Sequence, residues 1–459
     1  MSRPLPAPEA DPPLGRRFWA FWTAALASNL SDGVAMIAVP WLASSLSSDP
    51  LLVAAVATAG RLPWLLLGLP AGVLVDRLPR AALMVSANAA RLALWALLAV
   101  AVASGWASVP LLAAFAFCFG TLEVCYDTAA ETAVPALVPP DRLERANGHL
   151  RTGSLVAQEF AGRPLGGLLI TLGVFVPFLV NIAALAVSVL ALLRLRTAAP
   201  AGENGSAPGP GTTGLPREGG TGGPRSTTGA GGPGETRAAG KRGLRGVGAD
   251  VAEGVRAILR QQLLRLVAGI SLLVNTSYAT ALSTQVLFVR ETLGLGPAGF
   301  GLLMAFAAVG GVIGAQSVAR LRAALPRGVL PTACLASVGA VYVLIAWQPL
   351  IPVVALGYLL ASGLIIGYSV SLVSIRQRIT PDRLLGRVNA AMRTVGWGAS
   401  AVGMAAGGVL VSALTPSWGH EDALRAPYAL IGVVSLAVTA FLGAPVLIWV
   451  VRRYGTAAL

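Results

Sequence analysis

The sequence predicts an all-α membrane protein with twelve transmembrane helices in two six-helix halves. Three observations carry this: an apolar composition, twelve apolar runs of membrane-spanning length, and a motif that recurs six runs apart. Of 459 residues, 55% are hydrophobic and 12% charged, and the mean hydropathy is +0.72. Soluble domains carry about 25% charged residues. A chain this long and this apolar is stable only with much of its surface against lipid.

Crossing about 30 Å of hydrocarbon takes roughly 20 helical residues. Runs of that kind lie at 19–43, 51–75, 81–103, 109–133, 152–173, 175–195, 265–289, 297–318, 328–347, 350–374, 391–414 and 427–450. Helix is the form they must take, because a lone apolar strand leaves its backbone unpaired in lipid. The chain divides into an N-terminal tail 1–18, a first half 19–196, a linker 197–262, a second half 263–451 and a tail 452–459. Residues 201–240 contain 14 Gly and 5 Pro, a composition that builds no core and predicts disorder. After it, Val251, Val255, Leu259 and Leu263 recur every four residues. That spacing predicts an amphipathic helix on the membrane surface or a solvated linker helix.

The net charge of +14 does not point to nucleic acid, because the arginines are dispersed in short clusters between apolar runs. One set of loops holds Arg16, Arg17, Arg77, Arg80, Arg142, Arg145, Arg194, Arg196, Arg320, Arg322, Arg327, Arg376, Arg378, Arg383, Arg387, Arg452 and Arg453; the other holds only Arg290 and Arg425. The positive-inside rule makes the first set cytoplasmic, and with it both termini, in a multi-pass protein of the cell membrane. Cys118, Cys125 and Cys334 lie in apolar runs without metal or redox spacing. Met1–Leu14 lacks the apolar core of a signal peptide.

Pro140-Asp141-Arg142-Leu143 recurs as Pro381-Asp382-Arg383-Leu384, and Gly166-Gly167 as Gly407-Gly408. The copies enter spans 5 and 11, an offset of six, which predicts parallel halves with the substrate site between them at mid-membrane. GxxxG pairs at Gly68/Gly72, Gly162/Gly166, Gly310/Gly314 and Gly403/Gly407 allow close helix approach. They mark spans 2, 5, 8 and 11 as the helices on which the halves pack and rock.

The loop after span 2 runs from Gly72 through Asp76, Arg77 and Pro79 to Arg80. It resembles the signature loop G-x-L-x-D-R-x-G-R of the major facilitator superfamily, with Pro79 in place of the second glycine. Leu62-Pro63 to Arg77, Pro135 to Asn147, Gly162 to Leu169 and Gly386 to Ala390 are similar to the bacterial branch of enterobactin and macrolide exporters. The resemblance implies a cytoplasmic gate at Gly72, Asp76, Arg77 and Arg80, with Arg77 and Arg80 pairing with Asp141 or Glu144; plain positive-inside anchoring is the alternative. It also implies that spans 1, 4, 7 and 10 line the cavity. Two departures, no arginine in span 4 and Arg163 within the span 5 Gly-Pro motif, count against direct transfer of a drug–proton mechanism.

Charge in the membrane costs enough that it marks function by default. The acids are Asp32, Glu123, Asp127, Glu131 and Glu159; the bases are Arg61, Arg91 and Arg163. Glu123, Asp127 and Glu131 stand at i, i+4, i+8 and form one stripe. At 1.5 Å per residue, Asp32 and Glu123 lie about 20 Å from the ends of their spans, near mid-membrane. Asp32, Glu123 and Asp127 are therefore candidates for proton coupling. The alternative is that Arg61 or Arg91 pairs with them to hold helices together. Glu159 and Arg163, at i, i+4, favour mutual neutralisation. Polar candidates for the substrate cavity are Asn29, Asn275, Tyr278, Gln285, Tyr368 and Ser369.

Gly294-Leu-Gly296-Pro-Ala-Gly299 fits GxGxxG but sits between two spans, without a strand. The only lysine, Lys241, precedes Arg242, so no Walker A loop exists. No metal or cofactor motif occurs. The expected protein is no enzyme but a secondary transporter, expected to be monomeric, that exports an amphipathic small molecule against protons. Uptake of a metabolite and a non-transporting sensor are the alternatives.

Overall fold

The computed structural model describes residues 14–197, 244–324 and 329–443, which hold helices and no strand. The Gly- and Pro-rich stretch 201–240, the tail 452–459 and the end of the last predicted span lie outside the described residues. The first half runs α1 Arg16–Leu46, α2 Pro50–Arg77, α3 Arg80–Ala103 and α4 Val109–Ala133. A fifth crossing follows in pieces: α5 Leu143–Leu155, a π-helical turn Val156–Gly162 and α6 Arg163–Leu172. The half closes with α7 Val176–Thr197. After α8 Leu244–Arg260, the second half runs α9 Gln262–Leu287, a π-helical turn Phe288–Thr292, α10 Pro297–Ala324, α11 Val329–Trp347, α12 Ile351–Ile379, α13 Asp382–Trp418, α14 His420–Ala423 and α15 Ala426–Val438.

Among the described residues, 11 helices are long and apolar enough to cross a membrane. The fifth crossing completes the twelve. It falls short of that measure because Gln158, Glu159 and Arg163 lower the hydropathy of its run. Ends follow local chemistry. The Asp49 side chain accepts from the Leu51 amide at 2.8 Å, with Pro50 opening α2. Gly105, Gly294 and Gly419 adopt φ of 73°, 64° and 81° in loops at one end of the bundle, called here the far end, where tight reversals need the left-handed region. The other is the linker end.

The two halves pack alike. In the first, α2 packs on α4, α3 on α4 and α7, and α1 on α6 and α7. In the second, α10 packs on α12, α11 on α12 and α15, and α9 on α13 and α15. This is the same set of pairings shifted by six crossings, which gives the repeated motif its structural meaning.

The halves meet along two seams, α2 on α13 and α6 on α10. The four GxxxG pairs do not form them. Gly162 packs on Gly33 and Gly166 on Val34, both on α1; Gly310 and Gly314 pack on Leu359 and Gly363 of α12; Gly403 and Gly407 pack on Thr276 and Thr280 of α9. Those contacts stay inside one half, and Gly68 and Gly72 face open space. The seams use the next glycine in each duplicated pair. Gly167 meets Pro297 and Gly301, and Gly408 meets Pro50 and Ala54. One glycine of each pair fixes its own half, and its neighbour abuts the other half.

Helix α8 docks on the second half. Buried Ile258 clusters with Leu264, Val388 and Ala391, Gly254 lies against the Arg387 backbone, and Glu253 pairs with Arg387 at 2.5 Å. The docking face is therefore Gly254 and Ile258 with Val255 of the predicted stripe packed beside them, whereas Leu259 of that stripe is exposed. Leu263 belongs to α9. The i+4 apolar pattern missed the glycine that lets the helix come close.

Candidate functional site

A cavity of about 190 Å³ opens between the halves, walled by Asp32, Arg61, Phe119, Glu123 and Arg163 from the first half and by Ser283, Gln285, Met304 and Met404 from the second. Most of the remaining wall is aliphatic or aromatic, and Met36 completes a set of three thioethers. Such side chains adapt to varied apolar shapes.

Asp32 is held from below by a built network. Arg91, fully buried on α3, donates from Nη2 to Asp32 Oδ1, and from Nη1 to Ser28 Oγ at 2.9 Å and Asn88 Oδ1 at 3.0 Å. Asn88 donates to Ser188 Oγ at 2.8 Å, and Ser188 to the Ala24 carbonyl at 2.8 Å. The guanidinium lies over the Phe119 ring, 4.4 Å from its centroid. Arg91 is thus the partner of Asp32, and both belong to the first half.

Glu123 lines the same cavity half-buried and makes no ion pair among the described residues. Asp127 follows one turn towards the linker end, half-buried, and Glu131 is exposed beyond it; the stripe runs from the cavity towards the linker end. Arg61 pairs with no acid among the described residues. Its guanidinium sits 5.8 Å from the centroid of Trp397 on α13. Trp397 in turn stacks on Trp64 of α2, with centroids 4.6 Å apart and planes 17° apart. This cross-half contact lies on the linker side of the contacts made by Gly408. Arg163 pairs with Glu159 at 2.9 Å, and its Nη2 lies 3.4 Å from the Met36 sulfur, so this pair is a neutral unit in the wall.

The neutral candidates separate. Gln285 reaches the central cavity. Asn275, Tyr278, Tyr368 and Ser369 instead line a second cavity of about 300 Å³ walled by second-half residues. Asn29 lines neither. It donates to the Ala25 carbonyl at 2.7 Å and accepts from Ser154 Oγ at 2.9 Å, tying α1 to α5; three residues before Asp32 the helix turns it to a different neighbour. At the end of α2, Arg77 is exposed. Arg80 Nη1 donates to the Thr132 carbonyl at 2.7 Å, at the negative end of α4, rather than pairing with Asp141 or Glu144. Gly72 faces open space, and the side chain of Asp76 lies outside the described residues.

Three features had little or no sequence signal: the methionines, the Trp64–Trp397 stack, and a buried tyrosine pair. Tyr358 Oη and Tyr428 Oη lie 2.9 Å apart, and Gln285 Nε2 donates to Tyr358 Oη at 3.0 Å. Tyrosines deep in apolar spans were the available clue, since a buried hydroxyl needs a partner. No group of three His, Cys, Asp or Glu side chains able to hold a metal occurs among the described residues.

A family model described as Major Facilitator Superfamily matches residues 21–404. The chain is 26% identical to the multidrug efflux pump Tap of Mycolicibacterium fortuitum over 429 residues, 90% of this chain and 93% of that one. It is 26% identical to the pump of that name from Mycobacterium tuberculosis over 432 residues, 91% of this chain and 92% of that one. Among solved structures, a bacterial homologue of the iron transporter ferroportin in its inward-facing state superposes with a TM-score of 0.67 at 16% identity, covering 93% of this chain and 99% of that one. The outward-facing state gives 0.53 at 18% identity, covering 96% and 100%. The nucleoside transporter NupG gives 0.64 at 11% identity, covering 94% and 99%.

Proposed function

The chain belongs to the Major Facilitator Superfamily, and from that premise we propose that it is a proton-coupled exporter of amphipathic, drug-like small molecules. It acts as a monomer in the cell membrane with its linker end in the cytoplasm. The observation that carries this is Glu123, a carboxylate without an ion pair in a cavity between the halves. Such a group can take up a proton, and cargo and proton can then compete for one cavity. Asp32 supports the same role through Arg91. Protonation of Asp32 weakens its hold on Arg91, and Asp127 offers a station towards the linker end. The 26% identity to efflux pumps called multidrug over nine-tenths of the chain supports drug-like cargo ahead of a siderophore.

The orientation rests on the arginine asymmetry between the two loop sets. The contacts of Gly167 and Gly408 close the seams on the far side. In this orientation the molecule faces inward, in keeping with the higher superposition on the inward-facing state.

Inside-out vesicles holding a pH gradient test the proposal with amphipathic compounds added singly. Gradient collapse by a compound with the wild type, lost in folded Glu123→Gln, is the expected result. Downhill flux without proton movement would make the protein a facilitator, and the buried acids structural.

A further inference from the structure

Gln285 is the polar side chain through which the second half faces the central cavity with an amide, and its geometry is fixed from behind. Nε2 donates to Tyr358 Oη at 3.0 Å, and Tyr358 Oη lies 2.9 Å from Tyr428 Oη. Tyr428 is wedged in turn by Phe288, with ring centroids 4.3 Å apart, and by Tyr342, at 6.2 Å. Tyr358 and Tyr428 are buried in an apolar cluster that both halves share. Two phenols in an apolar core bring no advantage in packing over two phenylalanines, and each hydroxyl must find a bond or cost stability. What the pair adds is a rigid hydrogen-bonded post that ends at the Gln285 amide.

One N–H of the amide is thereby committed to Tyr358, and the amide oxygen is not committed. Gln285 Oε1 makes no hydrogen bond among the described residues, and it is absent from the buried atoms left without partners, so it is open to the cavity. Gln285 stands on α9, opposite the acids of α1 and α4. The cavity therefore has a charged wall on the first half and a fixed neutral acceptor on the second.

We propose that Gln285 is a specificity-determining residue that accepts a hydrogen bond from an N–H or O–H group of the cargo, and that Tyr358 and Tyr428 are the positioning residues that aim it. This rests on the export proposal for the nature of the cargo but not for its coupling. A cargo whose donor is capped by alkyl groups leaves Oε1 unpaired and loses roughly three- to tenfold, the worth of one neutral hydrogen bond.

The test uses two dyes with one xanthene frame and one positive charge each: rhodamine 123, whose ring nitrogens carry hydrogen, and tetramethylrhodamine methyl ester, whose nitrogens are fully methylated. Binding to the purified full-length protein is read by fluorescence polarisation, which needs no flux. Wild type should prefer rhodamine 123 by roughly three- to tenfold, and Gln285→Leu and Tyr358→Phe should bring the ratio to near one while the methylated dye still binds. Tyr428→Phe should lower the ratio less. Equal binding of the two dyes by wild type, binding of neither, or a ratio untouched in both Gln285→Leu and Tyr358→Phe overturns the proposal. A dye ratio that behaves as expected in a protein that moves no protons would instead sink the coupling proposal and leave the role of Gln285 standing.

Discussion

Arg290 Nη1 donates to the carbonyl oxygen of Ser44 in the last turn of α1. It is a cation at the negative end of a helix, and donor and acceptor belong to different halves. Arg290 stands in the π turn Phe288–Thr292, where its neighbour Glu291 meets His420 Nε2 at 2.6 Å. Two adjacent residues of this turn thus point apart, Glu291 anchored to its own half and Arg290 reaching across at the far end of the bundle.

That bond must break when the far end opens. Arg290→Ala should favour the open form by about 1 kcal/mol, a roughly fivefold population shift. Spin labels on Ser48 and Glu421, read by pulsed electron resonance, should show a larger long-distance component in the variant. An unchanged distance distribution would assign the bond a passive role.

Gly167 and Gly166 offer a sharper contrast. A side chain at Gly167 collides with the Pro297 carbonyl across the seam, whereas one at Gly166 collides with Val34 inside the half. Gly167→Val should force the far end apart in the same label pair and keep cooperative melting. Gly166→Val should lower the melting temperature instead.

Breaking the Asp32–Arg91 pair exposes its energetics. Arg91→Met leaves a buried carboxylate without its partner and should cost about 3–5 kcal/mol, seen as a lower melting temperature in detergent. Asp32→Asn added to Arg91→Met should recover part of that loss. Equal melting of the single and double variants would mean that the orphaned carboxylate costs nothing, and melting of Arg91→Met equal to wild type would mean that the ion pair contributes nothing to folding.

Glu123→Gln separates coupling from folding, since Glu123 has no ion-pair partner to orphan among the described residues. Its melting temperature should match wild type while gradient-driven accumulation of cargo falls to background. Joint loss of both would make Glu123 a structural residue.

The ion pair between Glu253 and Arg387 is half-exposed, so it contributes only about 0.5 kcal/mol to the docking of α8. Glu253→Arg should raise amide exchange in 252–260 modestly, and Glu253→Arg with Arg387→Glu should restore it. Exchange that stays fast in the swapped pair would locate the docking energy in Ile258 and Gly254 alone.

Much of this architecture was legible because lipid imposes it. Span length and the doubled Pro-Asp-Arg-Leu motif each follow from a local constraint, and the packing of one half repeats in the other. What stayed hidden depends on rotation about a helix axis or on contacts between halves. Asn29 and Asp32 are three residues apart, yet one joins α5 and the other faces the cavity. Either Arg61 or Arg91 was open as the partner of Asp32, and the choice turns on side-chain direction: Arg91 reaches from α3 to α1, while Arg61 turns to Trp397 of α13. Trp64 and Trp397 meet across a seam that the repeat does not encode. The two arginines that break the charge asymmetry, Arg290 and Arg425, are both engaged, Arg290 with Ser44 and Arg425 with Asp422 at 3.1 Å.

The pairs Asp32–Arg91 and Glu159–Arg163 each lie wholly within the first half. While both partners are ionised, each pair is a neutral unit, and rocking of the halves carries no net charge from it through the electric field of the membrane; protonation of Asp32 leaves Arg91 as a net cation. A lone charge carried across is worth about 2.3 kcal/mol per 100 mV. Among the described residues of the central cavity and its approach, the stripe of Glu123, Asp127 and Glu131 and the cation Arg61 carry charge without an ion pair. Under the proposed proton coupling, the transmembrane potential acts chiefly through the protonation of these acids, and turnover is electrically tunable without a dedicated voltage sensor.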